Sequence, residues 1–105
     1  REVYVAAPEG SVLIEGFIDL VFETEEGLIV VDYKTDGIET AEEITRSMEH
    51  YRLQGGTYAL GLETATGKSV TKVIFLFLHT GVEVVMDDLP RAMDDVRGAV
   101  SALTA

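Results

Sequence analysis

The sequence runs to 105 residues, 47% of them hydrophobic and 26% charged, a balance that suits one domain built around a single core. It has no cysteine, so disulfide scaffolds, cysteine-based zinc sites and iron–sulfur clusters are excluded, and a reducing, cytoplasmic setting is the expected one. The formal charge is -11, with 19 Asp and Glu against 8 Lys and Arg. Nucleic-acid modules usually carry a basic face, although carboxylates that hold metal ions add negative charge that the ions cancel.

No apolar run approaches the roughly 18–20 residues of a membrane span. Arg1 to Ala6 alternate in polarity as a strand does, not as a secretory leader, and a chain that enters a strand at once reads as a piece of something longer. Glu2–Ala7 is the first expected strand, ended by the turn cluster Pro8-Glu9-Gly10-Ser11. Val12–Phe22 is a longer strand, Thr24-Glu25-Glu26-Gly27 a tight turn, and Leu28–Lys34 the returning strand. Thr40 opens a helix, with Glu43 completing a capping box and Ile44, Met48 and Tyr51 at helical spacing. Glycine costs roughly 1 kcal/mol in a helix interior, so Gly55-Gly56 predicts a break near Arg52–Gly56 and a second helix over Thr57–Glu63, with Gly67 closing the helical region. Val73–Leu78 is continuously apolar, as expected of a strand buried on both faces. Thr80-Gly81 turns the chain into Val82–Met86. A final helix from near Asp88–Pro90 is expected to bury Leu89, Met93, Val96, Val100 and Leu103. A right-handed crossover sets Val73–Leu78 parallel to Leu28–Lys34 and beside it. The expected fold class is α/β, a mixed five-stranded sheet flanked by helices, with residues 1–105 as a single domain.

If Glu25 and Glu26 are the two turn residues, Asp19 faces Asp32 across the hairpin and Phe17 faces Lys34. Side chains alternate along a strand, so Asp19, Asp32 and Lys34 share one face. Ile14, Ile18, Leu20, Phe22, Ile29, Val31 and Tyr33 make the other face almost wholly apolar, and a one-residue slip would bury the charges. Directly opposed carboxylates repel; a divalent cation between them removes the repulsion. Oxygen ligands of this kind suit Mg²⁺ or Mn²⁺, which makes bound water more acidic, and Lys34 is placed to orient that water or to stabilise developing negative charge. A solvated polar face with a Lys–Asp pair accounts for the same residues, and geometry alone leaves both readings open.

The segment Gly16-Phe17-Ile18-Asp19-Leu20-Val21-Phe22, followed by Asp32-Tyr33-Lys34-Thr35, resembles the RecB/AddA-like branch of the PD-(D/E)XK nuclease superfamily, the C-terminal nuclease domain of bacterial helicase–nucleases. A later Q-x-x-x-Y element is matched by Gln54 and Tyr58, which share a helix face. The resemblance spans roughly Val12 to Leu78. It implies a restriction-endonuclease-like core in which Asp19, Asp32 and the backbone carbonyl of Tyr33 bind metal. It implies a catalytic set of Asp19, Asp32 and Lys34, with Gln54 and Tyr58 supporting the site or the DNA. The implied activity is Mg²⁺-dependent hydrolysis of DNA phosphodiesters, with Mn²⁺ as a substitute, by an exonuclease in double-strand-break repair and recombination. The implied partners are DNA, a helicase domain of the same chain and a second helicase–nuclease subunit, with no membrane. DNA delivered by a tethered helicase would offset the acidic charge.

The family often has a further ligating His or Glu on a helix upstream of these strands, ahead of the first strand here, so the fragment alone is expected to bind metal weakly or to be inactive. Absence of the four cysteines of iron–sulfur relatives favours the AddA/RecB side. An alternative function is a catalytically inactive nuclease-like module for protein contacts or DNA guidance; the acidic balance favours it, and the intact Asp19, Asp32 and Lys34 set opposes it. Gly67-Lys68-Ser69 is similar to the end of a phosphate-binding loop, but the required upstream glycine is displaced and the flanking elements are wrong, which argues against ATP binding. Tyr51 fits core packing and base stacking equally well, and His50 reads as an exposed helix residue.

Overall fold

The computed structural model describes the backbone of residues 3–9, 12–35 and 40–104, and the side chains there except at positions 3, 5, 9, 12–17 and 104. The order is β1 (Val3–Glu9), β2 (Val12–Ile18), β3 (Leu20–Thr24), β4 (Gly27–Lys34), α1 (Ala41–Thr66), β5 (Val70–Phe77), β6 (Val82–Val85) and α2 (Leu89–Thr104). Strands β3-β4-β5-β6 form one mixed sheet, while β1 and β2 form an antiparallel ladder of their own. β5 lies parallel to β4 and beside it, as a crossover through α1 leads one to expect. The architecture is the α/β class read from the sequence, with its strands divided between two ladders.

The hairpin register follows from its turn. Glu25 and Glu26 are the turn residues, and the pairs run from Thr24↔Gly27 to Leu20↔Val31. Thr24 Oγ1 accepts from the Glu26 N–H at 3.2 Å and donates to the Gly27 carbonyl at 3.1 Å. Gly27 has φ 146°, and a Cβ there would lie 2.4 Å from the Ser69 carbonyl oxygen, so no other residue fits. The expected long strand Val12–Phe22 does not run straight through: it bends at Asp19, and Ile18 enters the core. Pro8 and Glu9 belong to β1 and not to a turn, since proline is tolerated on an edge strand; Gly10 and Ser11 lie outside the described residues.

The Thr40 hydroxyl accepts the Glu43 N–H at 3.1 Å and donates to the Glu43 carboxylate at 3.0 Å, fixing the start of α1. The expected break at Gly55-Gly56 is absent: α1 is continuous over 26 residues. Packing explains why. A Cβ on Gly55 would sit 2.6 Å from Met86 Sδ and 3.2 Å from Phe75 Cζ, and one on Gly56 2.9 Å from the Ala92 carbonyl oxygen. The glycines let α1 lie against the sheet on one side and α2 on the other, and that burial outweighs their poor helix propensity. Gly67, at φ 72°, ends the helix by donating its N–H to the Glu63 carbonyl.

Both helices cover the same face of the sheet. Leu28, Val30, Val73, Phe75 and Phe77 are buried there with Tyr51, Leu60, Leu89, Met93 and Val96. The Arg52 guanidinium ties α1 to Asp95 of α2 at 2.8 Å. On the opposite face Ile74 and Leu76 are only half-buried, so β5 is not enclosed on both sides as its apolar run suggested. Leu103, expected in the core, is 78% exposed, because the contacts of α2 fade after the half-buried Val100. Among the described residues no helix is long and apolar enough to cross a membrane.

Candidate active site

The sequence pattern assigned the apolar face of the hairpin to the core and left the charges in solvent. The structure puts the charged side of β4 beneath a helix, while Ile18 and Val31 of the apolar side are buried as well. Alternation along β4 places Asp32 and Lys34 on the same side as Leu28 and Val30, beneath α1; Asp32 is 5% exposed, whereas Phe22 and Tyr33 of the other face are 43% and 37% exposed. Both parities of β4 carry apolar residues, so the sequence alone could not say which side the helices would take.

Asp19 sits at the bend between β2 and β3, one step beyond the end of the ladder at Leu20↔Val31. It is therefore not backbone-paired with Asp32, and Phe17 pairs with Tyr4 instead of Lys34. Its side chain nevertheless reaches β4: Asp19 Oδ2 accepts the Tyr33 N–H at 2.8 Å, and the carboxyl lies within hydrogen-bonding reach of Asp32. The expected juxtaposition is present, made by a side chain crossing a kink and not by ladder register.

Lys34 Nζ lies 2.9 Å from Asp32 Oδ2 and donates to Gln54 Oε1. Gln54 Nε2 in turn donates to the Tyr58 hydroxyl at 2.9 Å. The ammonium stands 4.5 Å from the centre of the Tyr51 ring and 5.6 Å from that of Phe75, a stabilising arrangement for a cation largely removed from water. Lys34 Nζ is thus the charged neighbour of the buried Asp32 Oδ2, and Asp19 lies beside the same carboxyl. Burial holds the Asp32 carboxyl above its ordinary range; Lys34 opposes the shift and Asp19 adds to it. Burial, then the charge of Asp32, also raises the Tyr58 phenol, so Tyr58 stays neutral at physiological pH.

Asp19, Asp32, Tyr33, Lys34, Gln54 and Tyr58, the residues singled out by motif, all fall in this one constellation. The position of Tyr51 beneath Lys34 was not foreseen, although its spacing of three residues from Gln54 already put the two on neighbouring helix positions. Among the described residues no three or more His, Cys, Asp or Glu side chains cluster as a metal site; the side chain of Glu15 lies outside them. The donor set is still suited to a hard cation. Two adjacent carboxylates, one of them buried and held above its ordinary range, would be relieved by a positive charge placed between them.

A strand bent at Asp19, a strand carrying Asp32, Tyr33 and Lys34, and a helix-borne Gln54 and Tyr58 come together, as the resemblance to a nuclease class implies. The chain belongs to the PD-(D/E)XK nuclease superfamily, whose family model matches residues 1–105. Within that class it is similar to bacterial proteins whose names describe them as components of an ATP-dependent helicase/nuclease. The relative from Thermoanaerobacter sp. (strain X514) is 37% identical over 87 residues, 78% of this chain and 7% of that protein. That from Clostridioides difficile (strain 630) is 44% identical over 68 residues, 64% of this chain and 5% of that protein, and that from Clostridium novyi (strain NT) is 34% identical over 85 residues, 76% and 7% respectively. These matches agree with the RecB/AddA-like resemblance. The chain thus spans only about a twentieth to a fourteenth of the length of these relatives.

Proposed function

We propose that residues 1–105 are one domain, the metal-dependent nuclease core of an ATP-dependent helicase–nuclease that hydrolyses DNA phosphodiester bonds during double-strand-break repair and recombination. The observation that supports this reading is the buried Asp32 carboxylate, set beside Asp19 and 2.9 Å from a lysine that Gln54 also holds. Asp19, Asp32 and the Tyr33 carbonyl would hold Mg²⁺, or Mn²⁺ in its place. When bound, the ion would supply a more acidic water and a Lewis acid for the phosphoryl oxygen. Lys34 Nζ, fixed by Gln54 and by the Tyr51 ring, directs an N–H toward the phosphate oxygen on which charge develops. Tyr58 keeps Gln54 in its orientation, so the amide oxygen faces Lys34. Burial beneath α1 keeps competing water away from the lysine and strengthens each of these interactions.

The partners in this reading are DNA, a helicase domain of the same polypeptide and a second helicase–nuclease subunit, in the cytoplasm. Asp32→Ala in the full-length polypeptide should abolish divalent-metal-dependent cleavage while leaving circular dichroism unchanged; unaltered cleavage in that variant would sink the assignment. The acidic balance of 19 Asp and Glu against 8 Lys and Arg motivates a second reading, an inactive module for protein contacts or DNA guidance. That reading requires that divalent metal leave both stability and oligonucleotide binding unchanged.

A further inference from the structure

The cleft into which Lys34 opens continues along α1 beyond the residues used so far. It encloses ≈ 490 Å³, and its walls include Lys34, Thr35, Arg46, Ser47, His50 and Gln54. Arg46, His50, Gln54 and Tyr58 stand four residues apart on α1, so they form one ridge of the helix. The Gln54 and Tyr58 end of this ridge is joined to Lys34. The other end is not: Arg46 and His50 are exposed.

Charge makes this cleft unusual for this molecule. Acidic residues outnumber Lys and Arg by 19 to 8, yet among the described residues no Asp or Glu lines the cleft. Arg52 pairs with Glu49 and Asp95, Arg97 with Asp94 and Lys68 with Glu23, whereas Arg46 has no ion pair to a described residue although the first turn of α1 holds Glu42 and Glu43. The His50 ring leans on Tyr51 at 5.8 Å between centroids, and Tyr51 is the ring that carries Lys34. The cationic and donor groups are therefore mounted on one frame with the proposed centre.

We infer that Arg46 and His50 form a phosphate subsite that holds the phosphodiester next to the scissile one, so that the nucleic-acid strand lies along α1. The inference rests on the proposed function and names where its substrate runs. A guanidinium fork suits phosphate oxygens, and the imidazole adds an N–H donor. Successive ridge positions are about 6 Å apart along the helix, close to the separation of neighbouring phosphates in an extended strand.

The test uses the full-length polypeptide and a short fluorescent oligonucleotide. Arg46→Ala should raise KM about tenfold, the loss falling in KM rather than kcat, and should lower the slope of log affinity against log salt by about 0.7, one single-strand phosphate contact. Arg46→Lys should recover part of the loss. An uncharged methylphosphonate linkage beside the cleaved position should cost the wild type a similar factor and Arg46→Ala nothing further. Equal losses in both proteins, or a wild-type KM and salt slope in Arg46→Ala, would overturn the subsite. Anisotropy in the Asp32→Ala background reads the same tenfold contrast without cleavage. A failure of the nuclease assignment, seen as cleavage that survives Asp32→Ala, is thereby separated from a failure of the subsite.

Discussion

At its N-terminal end β4 turns Leu28 and Val30 under the helices as plain packing. A few residues on, it turns Asp32 and Lys34 into the same layer. The first pair contributes about 1.5–3 kcal/mol per side chain through burial of apolar surface. The second pair has its carboxyl held above the ordinary range by that same burial. One strand and one covering helix thus serve opposite ends: the layer that stabilises the fold at Leu28 makes a charge at Asp32 unfavourable, and the Lys34 ammonium opposes that cost.

The comparison can be broken most forcefully at its apolar end. Leu28→Ala should destabilise by about 2–5 kcal/mol in urea unfolding yet leave the metal response of the remaining folded protein intact; loss of that response would mean the two ends are not separable. At the polar end, Mn²⁺ at 100 times its dissociation constant should add about 2.7 kcal/mol. Thermal unfolding should show this rise in the wild type and in Leu28→Ala, and not in Asp32→Ala. A rise that persists in Asp32→Ala would place the cation elsewhere.

Smaller effects sharpen the contrast. Gly56→Ala should cost about 1 kcal/mol net, the clash with the Ala92 backbone outweighing the gain in helix propensity. Gly55→Ala should cost less, because the nearest atom, Met86 Sδ, ends a flexible side chain; the reverse order in chemical denaturation would contradict this packing. The smallest effect is one of pH in the metal-free protein. A carboxyl raised in the folded state favours folding below its unfolded value near 3.8, and that contribution is lost as pH rises through the folded value. Asp32→Asn should therefore gain stability relative to wild type between acidic and neutral pH, and a difference independent of pH would argue that Asp32 is not strained by burial.

Local rules made much of this legible in the sequence. A two-residue turn fixed the hairpin register, Thr40 and Glu43 announced the helix start, and Gly67 its end. The grouping of Asp19, Asp32, Lys34, Gln54 and Tyr58 could be read from motif order. What could not be read depends on contacts between distant segments. The bend at Asp19 goes with its carboxylate reaching the Tyr33 N–H, a contact fourteen residues away that the largely apolar run Val12–Phe22 does not announce. The continuity of α1 through Gly55-Gly56 depends on Met86, Phe75 and Ala92, all downstream. The choice of covered face was hidden because Leu28 and Val30 are as apolar as Ile29 and Val31.

Gly55 follows Gln54 directly, and this adjacency gives the glycine a role as a shim. Gln54 Oε1 meets Lys34 where α1 lies close to the sheet, and at Gly55 the absent Cβ leaves that room to Met86, Phe75 and Val73. The spacing of α1 from the sheet at Gly55 is thus also the gap that Gln54 bridges, so a residue with no side chain bears on where the lysine is held.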